Sequence, residues 1–454
     1  MHPLSRLIGA ADVPRLARPS YVAEMRHMSL WGMFASLVDG SFSSIIVAKT
    51  FGAPELVPVV WATPMLAHLL SFLWSAVIRG RPKIRTFLFL ASGAIIASGS
   101  IALTPSDAGL LGGLLFTLQI GLARIFLSGL VNLRTSIWKA NYPHSHRARI
   151  ASRIQALNAL LMLAVGAMAS TIFDRHAEYY QVVYPTLAAL GLLALLPLRQ
   201  LRVRGEQAEL RSYRRSVTAV GGWRQLTRNF SDAVRILRTD RDFSRYCGAQ
   251  YLLGSSNFMV DPVLSLFLTQ TLQLRYFGSY LILEQIPTII ALATMPLWAR
   301  YFDRVGVLRF RVVNTAFWLV AITLAAAALG LHSLALSHAT PLAIALLVVA
   351  RLVNGIGRGG GAIGWNLGHL HFAGRHDADL YMGIHVALTG LRGVIMPFVG
   401  TFIYGLVGPS AMLLSVGLCT AALLAFRRLA LEETRQGPPG ASSAAALHQA
   451  PGSQ

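Results

Sequence analysis

Long apolar stretches separated by short polar segments run along most of the chain. A helix that crosses a membrane needs about 20 mainly apolar residues, and twelve stretches of the sequence meet that requirement. These stretches, numbered as spans 1 to 12, are 28–49, 55–78, 86–104, 111–135, 151–172, 180–198, 246–270, 277–299, 309–331, 340–365, 381–404 and 408–426. The pattern therefore predicts an all-α polytopic membrane protein with twelve transmembrane helices.

The composition agrees with a membrane protein and excludes the soluble classes. Hydrophobic residues make up 54% of the 454 positions and charged residues only 13%, whereas soluble domains carry about 25% charged residues. A soluble enzyme or a free nucleic-acid-binding protein would lack the polar surface that it needs. The sequence also has no motif of the Ser-His-Asp, Cys-His or zinc-protease kind, so we expect neither enzyme activity nor a soluble cofactor.

The distribution of basic residues predicts the orientation in the membrane. Most of the 40 Lys and Arg residues fall in the two termini and in the loops after spans 2, 4, 6, 8 and 10, whereas the other side holds only Lys49, Arg175 and Arg275. Arg311, at the boundary of span 9, is counted with the cytoplasmic loop after span 8. Because basic residues accumulate in cytoplasmic loops, we predict that both termini are cytoplasmic and that the protein lies in the inner (cytoplasmic) membrane. This rule accounts for the net charge of +21 without nucleic acid as a partner.

Polar segments divide the chain into five predicted parts. The parts are a cytoplasmic N-terminal segment (1–27), a six-helix bundle (28–198), an Arg-rich cytoplasmic linker (199–245), a second six-helix bundle (246–430) and a tail (431–454). The Ala, Gly, Pro and Ser content of the tail predicts disorder. Within the linker, residues 223–237 have the pattern of an amphipathic helix that an anionic lipid surface would attract.

The two halves of the chain resemble each other at a nearly constant offset. Arg124 and Arg351 have the same separation as Trp138 and Trp365. Further pairs at similar offsets are Gly80 with Gly306, Glu55 with Glu284 and Asp39 with Asp261. Because these five matches occur in the same order, we predict two six-helix repeats. The repeats share one orientation, since six is an even number of crossings.

The loop between spans 8 and 9 carries a motif with an Asp-Arg-x-Gly core. It reads Ala299-Arg-Tyr-Phe-Asp303-Arg304-Val-Gly306-Val-Leu-Arg309, and the loop between spans 2 and 3 carries a reduced copy, Gly80-Arg81-Pro82-Lys83, that lacks the aspartate. With the two halves and the long linker, these motifs resemble the major facilitator superfamily of secondary transporters, over roughly residues 28–430. The resemblance implies that fold, alternating access, and a cytoplasmic gating ion pair at Asp303, Arg304 and Gly306, with Gly80 and Arg81 as the counterpart. It does not specify a solute.

Ionisable side chains within predicted spans are the first functional candidates, because each costs at least about 2.5–3.5 kcal/mol to insert. They are Asp39, Asp261, Glu284, Arg124, Arg134, Arg351, Arg358 and Arg392. All but Glu284 and Arg392 lie on spans 1, 4, 7 and 10, which the resemblance implies line a central cavity. Arg124 and Arg351 also resemble the arginine motif of the family's fourth helix and its second-half counterpart.

Asp39 with Arg124, and Asp261 with Arg351, form one candidate ion pair in each half. Such a pair offers a switch, because protonation of the acid or entry of an anionic solute would release the partner. The alternative is that each pair is a static link between helices. For Glu284, a proton-carrying role and a position at the membrane interface both stay open.

Polar residues near these charges are candidate solute contacts. We expect Arg124 and Arg351, with Arg358, to bind an anionic group, and Asn257 and Gln119 to contact the same solute. Five arginines against three acids in the spans favour a carboxylate or phosphate solute over a cation. Small polar residues also make hydrogen bonds between helices, which is the alternative for the neutral ones.

Histidines give weaker signals. His68, midway along span 2, titrates near neutrality when exposed, but we expect a packed, neutral histidine there. The run His369-Leu-His371-x4-His376-Asp377-x-Asp379 matches no compact metal site, so a solvated loop is favoured and no metal is predicted.

The sequence therefore predicts a membrane secondary transporter that moves a small solute by alternating access. Its partners are the solute and the lipid bilayer, with protons as candidate coupling ions, in symport or antiport. We expect a monomer. The alternative function is that of a transporter-like receptor or assembly protein that moves no solute.

Overall fold

The protein is described by a computed structural model over residues 10–70, 74, 77–78, 80–216, 222–334, 338–373 and 378–436. Those residues fold into helices and contain no strand. The α-helices are α1 (Arg18–Ala35), α2 (Phe42–Lys49), α3 (Val57–Leu69), α4 (Lys83–Gly99), α5 (Gly109–Asn141), α6 (His144–Phe173), α7 (Tyr180–Arg199), α8 (Glu206–Ser216), α9 (Gly222–Thr239), α10 (Arg241–Leu266), α11 (Tyr276–Tyr280), α12 (Ile286–Val305), α13 (Val307–Ser333), α14 (Ala339–Leu367), α15 (Leu370–Ala373), α16 (Ala378–Val407) and α17 (Ala411–Gln436). Two π-helical turns, Phe267–Thr271 and Leu281–Gln285, follow α10 and α11.

The predicted spans coincide with these helices, and the protein is a multi-pass membrane protein. Within the described residues, nine helical stretches are long and apolar enough to cross a membrane, and one of them, Leu380–Arg435, contains both α16 and α17. Span 1 lies outside this set because it is divided into α1 and α2. Span 2 includes residues 71–73 and 75–76, which lie outside the described part of the chain. The number of twelve crossings stays a prediction.

Two segments differ from the sequence-based expectation. The helix predicted over 28–49 is interrupted between Ala35 and Phe42. The predicted disordered tail begins too early, because α17 continues to Gln436, and its remaining residues lie outside the described part of the chain. The amphipathic segment 223–237 falls within the helix α9, as its periodicity predicts.

The chain forms two compact units. Unit 1 comprises Met1–Leu226, Asp261–Gln285 and Gly393–Thr401, and unit 2 comprises Thr227–Val260, Ile286–Arg392 and Phe402–Gln454. Each unit is held by close helix packing at small residues. In unit 1, Gly191 of α7 lies against Phe34 of α1, where a β-carbon on the glycine would be 3.0 Å from the ring.

In unit 2, the glycine-rich helix α14 packs directly on α12. A β-carbon on Gly355 would lie 2.7 Å from the carbonyl oxygen of Pro287, and one on Gly360 would lie 2.8 Å from the Trp298 ring. Such close approach of backbones is what small residues provide between membrane helices. The run of glycines therefore serves packing in this unit.

Candidate functional site

The interruption of span 1 lies in the Val38-Asp39-Gly40 segment of unit 1. Helix α1 ends at Ala35, and a regular helix cannot pass through Gly40, which has φ +115°, a region that residues with a β-carbon rarely adopt. Residues 36–41 therefore leave carbonyl groups without helical partners. Inside a membrane, such groups must be satisfied by protein or by water in a cavity.

Arg124 of α5 binds two of these carbonyl groups and a third one on α3. Its Nε donates to the carbonyl of Val38 at 2.9 Å, and Nη2 donates to the carbonyl of Gly40 at 2.9 Å. Nη1 donates to the carbonyl of Val60 at 2.7 Å. The hydroxyl groups of Ser43 and Thr63 accept the remaining bonds, both at 2.7 Å.

A guanidinium group has five N–H donors, so these five bonds use all of them. Arg124 is only 4% exposed, and its partners are neutral oxygens rather than the Asp39 carboxylate that the sequence suggested as its ion-pair partner. The arginine joins the interrupted span 1 to span 2. An anionic solute at Arg124 would have to displace at least one of these bonds.

Two acids lie at the interruption. The Asp39 side chain is exposed, and the charges of Arg124, Glu284 and His68 all act on it. Glu284 lies beside Gly40, since a β-carbon on that glycine would be 4.0 Å from the Glu284 carboxylate. The structure therefore brings Glu284 to Asp39, a proximity that the sequence did not indicate.

His68 corrects another expectation. We expected a packed, neutral histidine, but the side chain is exposed on α3 and lies within electrostatic range of Asp39. Two carboxylates and one imidazole thus lie near the interruption.

Glu284 lies on a π-helical turn, Leu281–Gln285, and such turns are frequent at functional sites.

Hydroxyl and amide groups hold the end of α10 and the following π-helical turn against span 1 within unit 1. Ser44 and Ser265 are hydrogen-bonded at 3.0 Å, and Gln270 donates to the carbonyl of Ala48 at 3.2 Å. Tyr280 packs edge-on against Phe42, with 5.2 Å between ring centroids. These contacts fix the segment that carries Glu284 next to α2.

The other predicted solute contacts are dispersed. The Gln119 amide is engaged at the end of α4, accepting from Thr104 at 2.9 Å and donating to the carbonyl of Ser100 at 3.0 Å. In unit 2, the amide oxygen of Asn257 is buried and lacks a hydrogen-bond partner among the residues that the structure describes. Arg351 is buried on α14, and Arg358 lies half-buried on the same helix. Asp261 lies half-buried on α10, in unit 1.

Unit 2 contains a buried cationic cluster that the sequence pattern did not indicate. Arg311, which we expected in a cytoplasmic loop, lies on α13 and is 2% exposed, and Arg392 on α16 is 4% exposed. Their charges act on each other and on the buried His385. Arg311 donates to the Tyr246 hydroxyl at 3.3 Å, and Arg392 donates to the carbonyl of Gln250.

Neither arginine of this cluster forms an ion pair with a carboxylate in the described part of the chain. The Nε2 of His385 and the Nε of Arg392 are buried without hydrogen-bond partners there. The available signal was the position of Arg311, five residues after Gly306 and near the start of the predicted span 309–331. The cluster can stabilise negative charge inside unit 2.

The two loop motifs, at Gly80 and at Gly306, have a common backbone feature. Gly80 and Gly306 have φ +69° and +76°, and each precedes a helix, α4 and α13 respectively. Left-handed φ values favour glycine because it has no β-carbon. Asp303 and Arg304 are exposed at the end of α12, and Arg81 is exposed before α4.

The histidines near span 10 do not form a metal site in the described residues. No group of three metal-ligating side chains occurs among them. His371 instead lies 3.1 Å from the Glu433 carboxylate. His376 and Asp377, and the side chain of Asp379, lie outside the described part of the chain.

Comparisons with known proteins identify the fold. No sequence profile of a known protein family matches the chain, and no curated protein is significantly similar to it in sequence. Solved structures do match. A D-xylose–proton symporter is 14% identical with a TM-score of 0.65, covering 90% of this chain and 96% of its own. The nucleoside transporter NupG is 14% identical with a TM-score of 0.60, covering 92% and 99%.

A bacterial homologue of the iron transporter ferroportin, in an inward-facing state, is also similar. It is 13% identical with a TM-score of 0.58 and covers 92% of this chain and 98% of its own. These solved structures are transporters of the major facilitator superfamily type rather than enzymes. The chain has the fold of these transporters, as its motifs suggested.

Proposed function

We propose that this protein is a secondary transporter that moves a small solute by alternating access, with coupling residues at the interruption of span 1. The observation that carries the proposal is the convergence of Asp39 and Glu284 on a segment whose carbonyl groups are held by Arg124. Interrupted helices place binding sites within membrane transporters. Irregular backbone at membrane depth is tolerated where protein or a water-filled cavity satisfies it.

Asp39 and Glu284 are the proposed proton-coupling residues. Two carboxylates at close range disfavour simultaneous ionisation, and a neighbouring guanidinium favours it. Loss of a bond between Arg124 and the interruption, as the helices rearrange, would change this balance and release or take up a proton. Asp261 is the proposed counterpart on span 7.

The proposed solute carries a carboxylate or phosphate group. The buried Arg311 and Arg392 support an anion, because a buried guanidinium without an anionic partner is costly. The proposed solute contacts in unit 2 are Arg351 and Arg358 of α14 and Asn257, whose amide oxygen lacks a hydrogen-bond partner in the described residues. Those in unit 1 are Arg124 and Gln119. The exposed Asp303 and Arg304, with Gly306, are the proposed gating element, with Gly80 and Arg81 as its counterpart.

We also propose that the chain consists of two six-helix repeats. They are residues 28–198 and 246–430, and the linker 199–245 lies between them. Matched contacts support it: Trp74 donates to the carbonyl of Ile125 at 2.9 Å, and Trp298 donates to the carbonyl of Ile356 at 2.7 Å. In each half a tryptophan near the end of the second span thus bonds to the backbone of the fourth. The proposed location is the inner membrane, with both termini in the cytoplasm as the excess of basic residues on that side suggests.

The experiment is a flux measurement in proteoliposomes. Thermal-shift screening against carboxylates, phosphate esters, sugars and nucleosides selects a solute, and its accumulation is then followed under an imposed pH gradient. Asp39→Asn and Glu284→Gln should abolish gradient-driven accumulation while retaining exchange of solute across the membrane. Glu55→Gln, at an exposed carboxylate near α3, is the matched control.

The outcomes separate the functions. If both variants accumulate solute like the wild type at every pH, the coupling assignment is wrong. A solute that stabilises the protein but never crosses intact liposomes would support the alternative of a receptor or assembly protein. If the ligand that stabilises the protein most is a cation, the proposal of an anionic solute is wrong, but the proposal of transport is unaffected.

A further inference from the structure

A basic cavity lies on one surface of unit 1, apart from the interruption of span 1. Its volume is about 890 Å³. It is enclosed by the beginning of α4, the end of α7 and the segment that leads into α8. The positive-inside rule places these helix ends at the cytoplasmic membrane surface.

Four arginines line this cavity: Arg85, Arg199, Arg202 and Arg211. None of them forms an ion pair with a carboxylate in the described residues. Among the described residues of the lining, the one acid is Glu206, and its Oε1 accepts a hydrogen bond from the backbone N–H of Lys83 at 2.6 Å. The cavity is therefore strongly cationic.

The wall of the cavity is held in place. Asn141 donates to the carbonyl of Arg202 at 3.0 Å and accepts from the backbone N–H of Arg204 at 3.1 Å. Gly205, with φ +72°, turns the chain towards α8. The arginines of this segment are thus presented from a fixed backbone.

Apolar residues complete the lining. Leu88 is half-buried and Leu201 is buried, and both contribute to the cavity together with Ile84 and Val203. The volume is in the range of about 300–1,000 Å³ that holds drug-sized ligands and greatly exceeds that of one phosphate ion. The combination fits an anionic group joined to an apolar body.

We propose that this cavity binds the headgroup of an anionic phospholipid from the adjacent leaflet. Arginine pairs with phosphate oxygens through two parallel hydrogen bonds, and basic pockets beside transmembrane helices bind such headgroups. Leu88 and Leu201 contact the glycerol backbone and the first acyl carbons. A lipid seated here links α4 and α7 to the linker helix α8.

The test is lipid retention by full-length protein in nanodiscs. The nanodiscs contain phosphatidylcholine with a small fraction of phosphatidylglycerol or cardiolipin. Native mass spectrometry releases the protein from the nanodiscs in the gas phase and counts the lipids that it retains. The wild type should retain the anionic lipid in preference to phosphatidylcholine. Because each basic residue near an anionic surface contributes roughly fivefold in affinity, Arg85→Gln with Arg202→Gln should lower retention by about 25-fold.

Controls make the result specific. Arg175→Gln removes an exposed arginine from the opposite side and should retain lipid like the wild type. Arg85→Lys with Arg202→Lys should retain an intermediate amount, since the charge stays but the paired bonds are lost. Unaltered helical circular dichroism of each variant verifies folding.

Two results would overturn the proposal. One is equal retention of the anionic lipid by the wild type and the double glutamine variant. The other is displacement of the lipid by millimolar glycerol phosphate, which would identify a soluble phosphate ester as the ligand.

Discussion

Glu209 of the linker helix α8 forms an ion pair with Lys83, at the end of the loop motif that lacks its aspartate. Glu206 of the same helix accepts a hydrogen bond from the Lys83 backbone. Tyr213 of α8 lies directly on Gly80, leaving no room for a side chain there. The linker thus supplies, from another segment, the carboxylates that the loop between spans 2 and 3 does not contain.

Removal of this ion pair should loosen α8. Because Glu209 is 65% exposed, the pair contributes only about 0.5 kcal/mol. Lys83→Gln and Glu209→Gln should each raise hydrogen–deuterium exchange over 206–216 by about twofold, and the double variant should show no additional effect. Glu432→Gln, which removes the exposed partner of Arg245 in unit 2, is the control. Exchange rates equal to wild type in all variants would show that the pair does not hold the linker.

Arg124 makes a larger contribution to stability. Its replacement by Gln would remove the guanidinium donor from the carbonyl groups of Val38 and Gly40, whereas the Val60 carbonyl would keep its bond from the Thr63 hydroxyl. An unsatisfied buried carbonyl costs about 1–3 kcal/mol. We expect Arg124→Gln to lower the free energy of unfolding by about 3 kcal/mol after partial relaxation. Thr63→Val, which removes one of the five acceptors, should lower it by about 1 kcal/mol.

Denaturant unfolding followed by intrinsic tryptophan fluorescence measures both effects. Arg175→Gln, at an exposed site, is the control and should leave unfolding unchanged. If Arg124→Gln unfolds like Arg175→Gln, the five bonds do not stabilise the interruption. A loss of transport without a loss of stability would instead favour direct solute binding by Arg124.

The apolar pattern predicted the helices well and the site only in part. Hydropathy is averaged over many residues, so the apolar residues around Asp39 conceal the interruption, and Gly40 was its one local signal. Glu284 reaches Gly40 through tertiary packing between residues far apart in the sequence, which a single chain does not reveal. Arg311 was misplaced because a basic residue at a helix end is ordinarily in water; here the side chain turns inward to Tyr246.

Substitution of Gly40 tests whether the interruption of span 1 is required for stability and transport. A residue with a β-carbon is strained at φ +115° by about 1–3 kcal/mol, and that β-carbon would also approach Glu284. Gly40→Ala should lower stability by about 2 kcal/mol and reduce transport. Gly248→Ala is the matched control, because this glycine lies inside α10 with nothing within 4 Å of a new β-carbon. That change should be neutral or slightly stabilising. Equal stability and transport in the two variants would contradict the assigned role of Gly40.

The buried carboxyl group of Glu24 should make the stability of the protein depend on pH. It lies on α1 ahead of the predicted span 28–49 and is buried, and its carboxylate accepts hydrogen bonds from Tyr142 at 2.6 Å and from Trp138. Burial raises the pKa of Glu24 above its ordinary value of 4.5, while the two hydrogen bonds and the charge of Arg134 act in the opposite direction with smaller effect.

A carboxyl group with a raised pKa in the folded state stabilises the protein at low pH, and this contribution is lost as the pH rises through the raised value. The unfolding midpoint of the wild type should therefore fall as the pH increases above 4.5. The side chain of Glu24→Gln cannot ionise, so this part of the decline should disappear, whatever the variant's stability at low pH. Parallel pH profiles for the wild type and Glu24→Gln would show that Glu24 is ionised throughout and that its buried hydrogen bonds outweigh desolvation.

Asp12 should give a pH dependence of the opposite sign, because its hydrogen bond with Arg153 lowers the pKa of the carboxyl group. Asp12→Asn should therefore remove stability only above that lowered value.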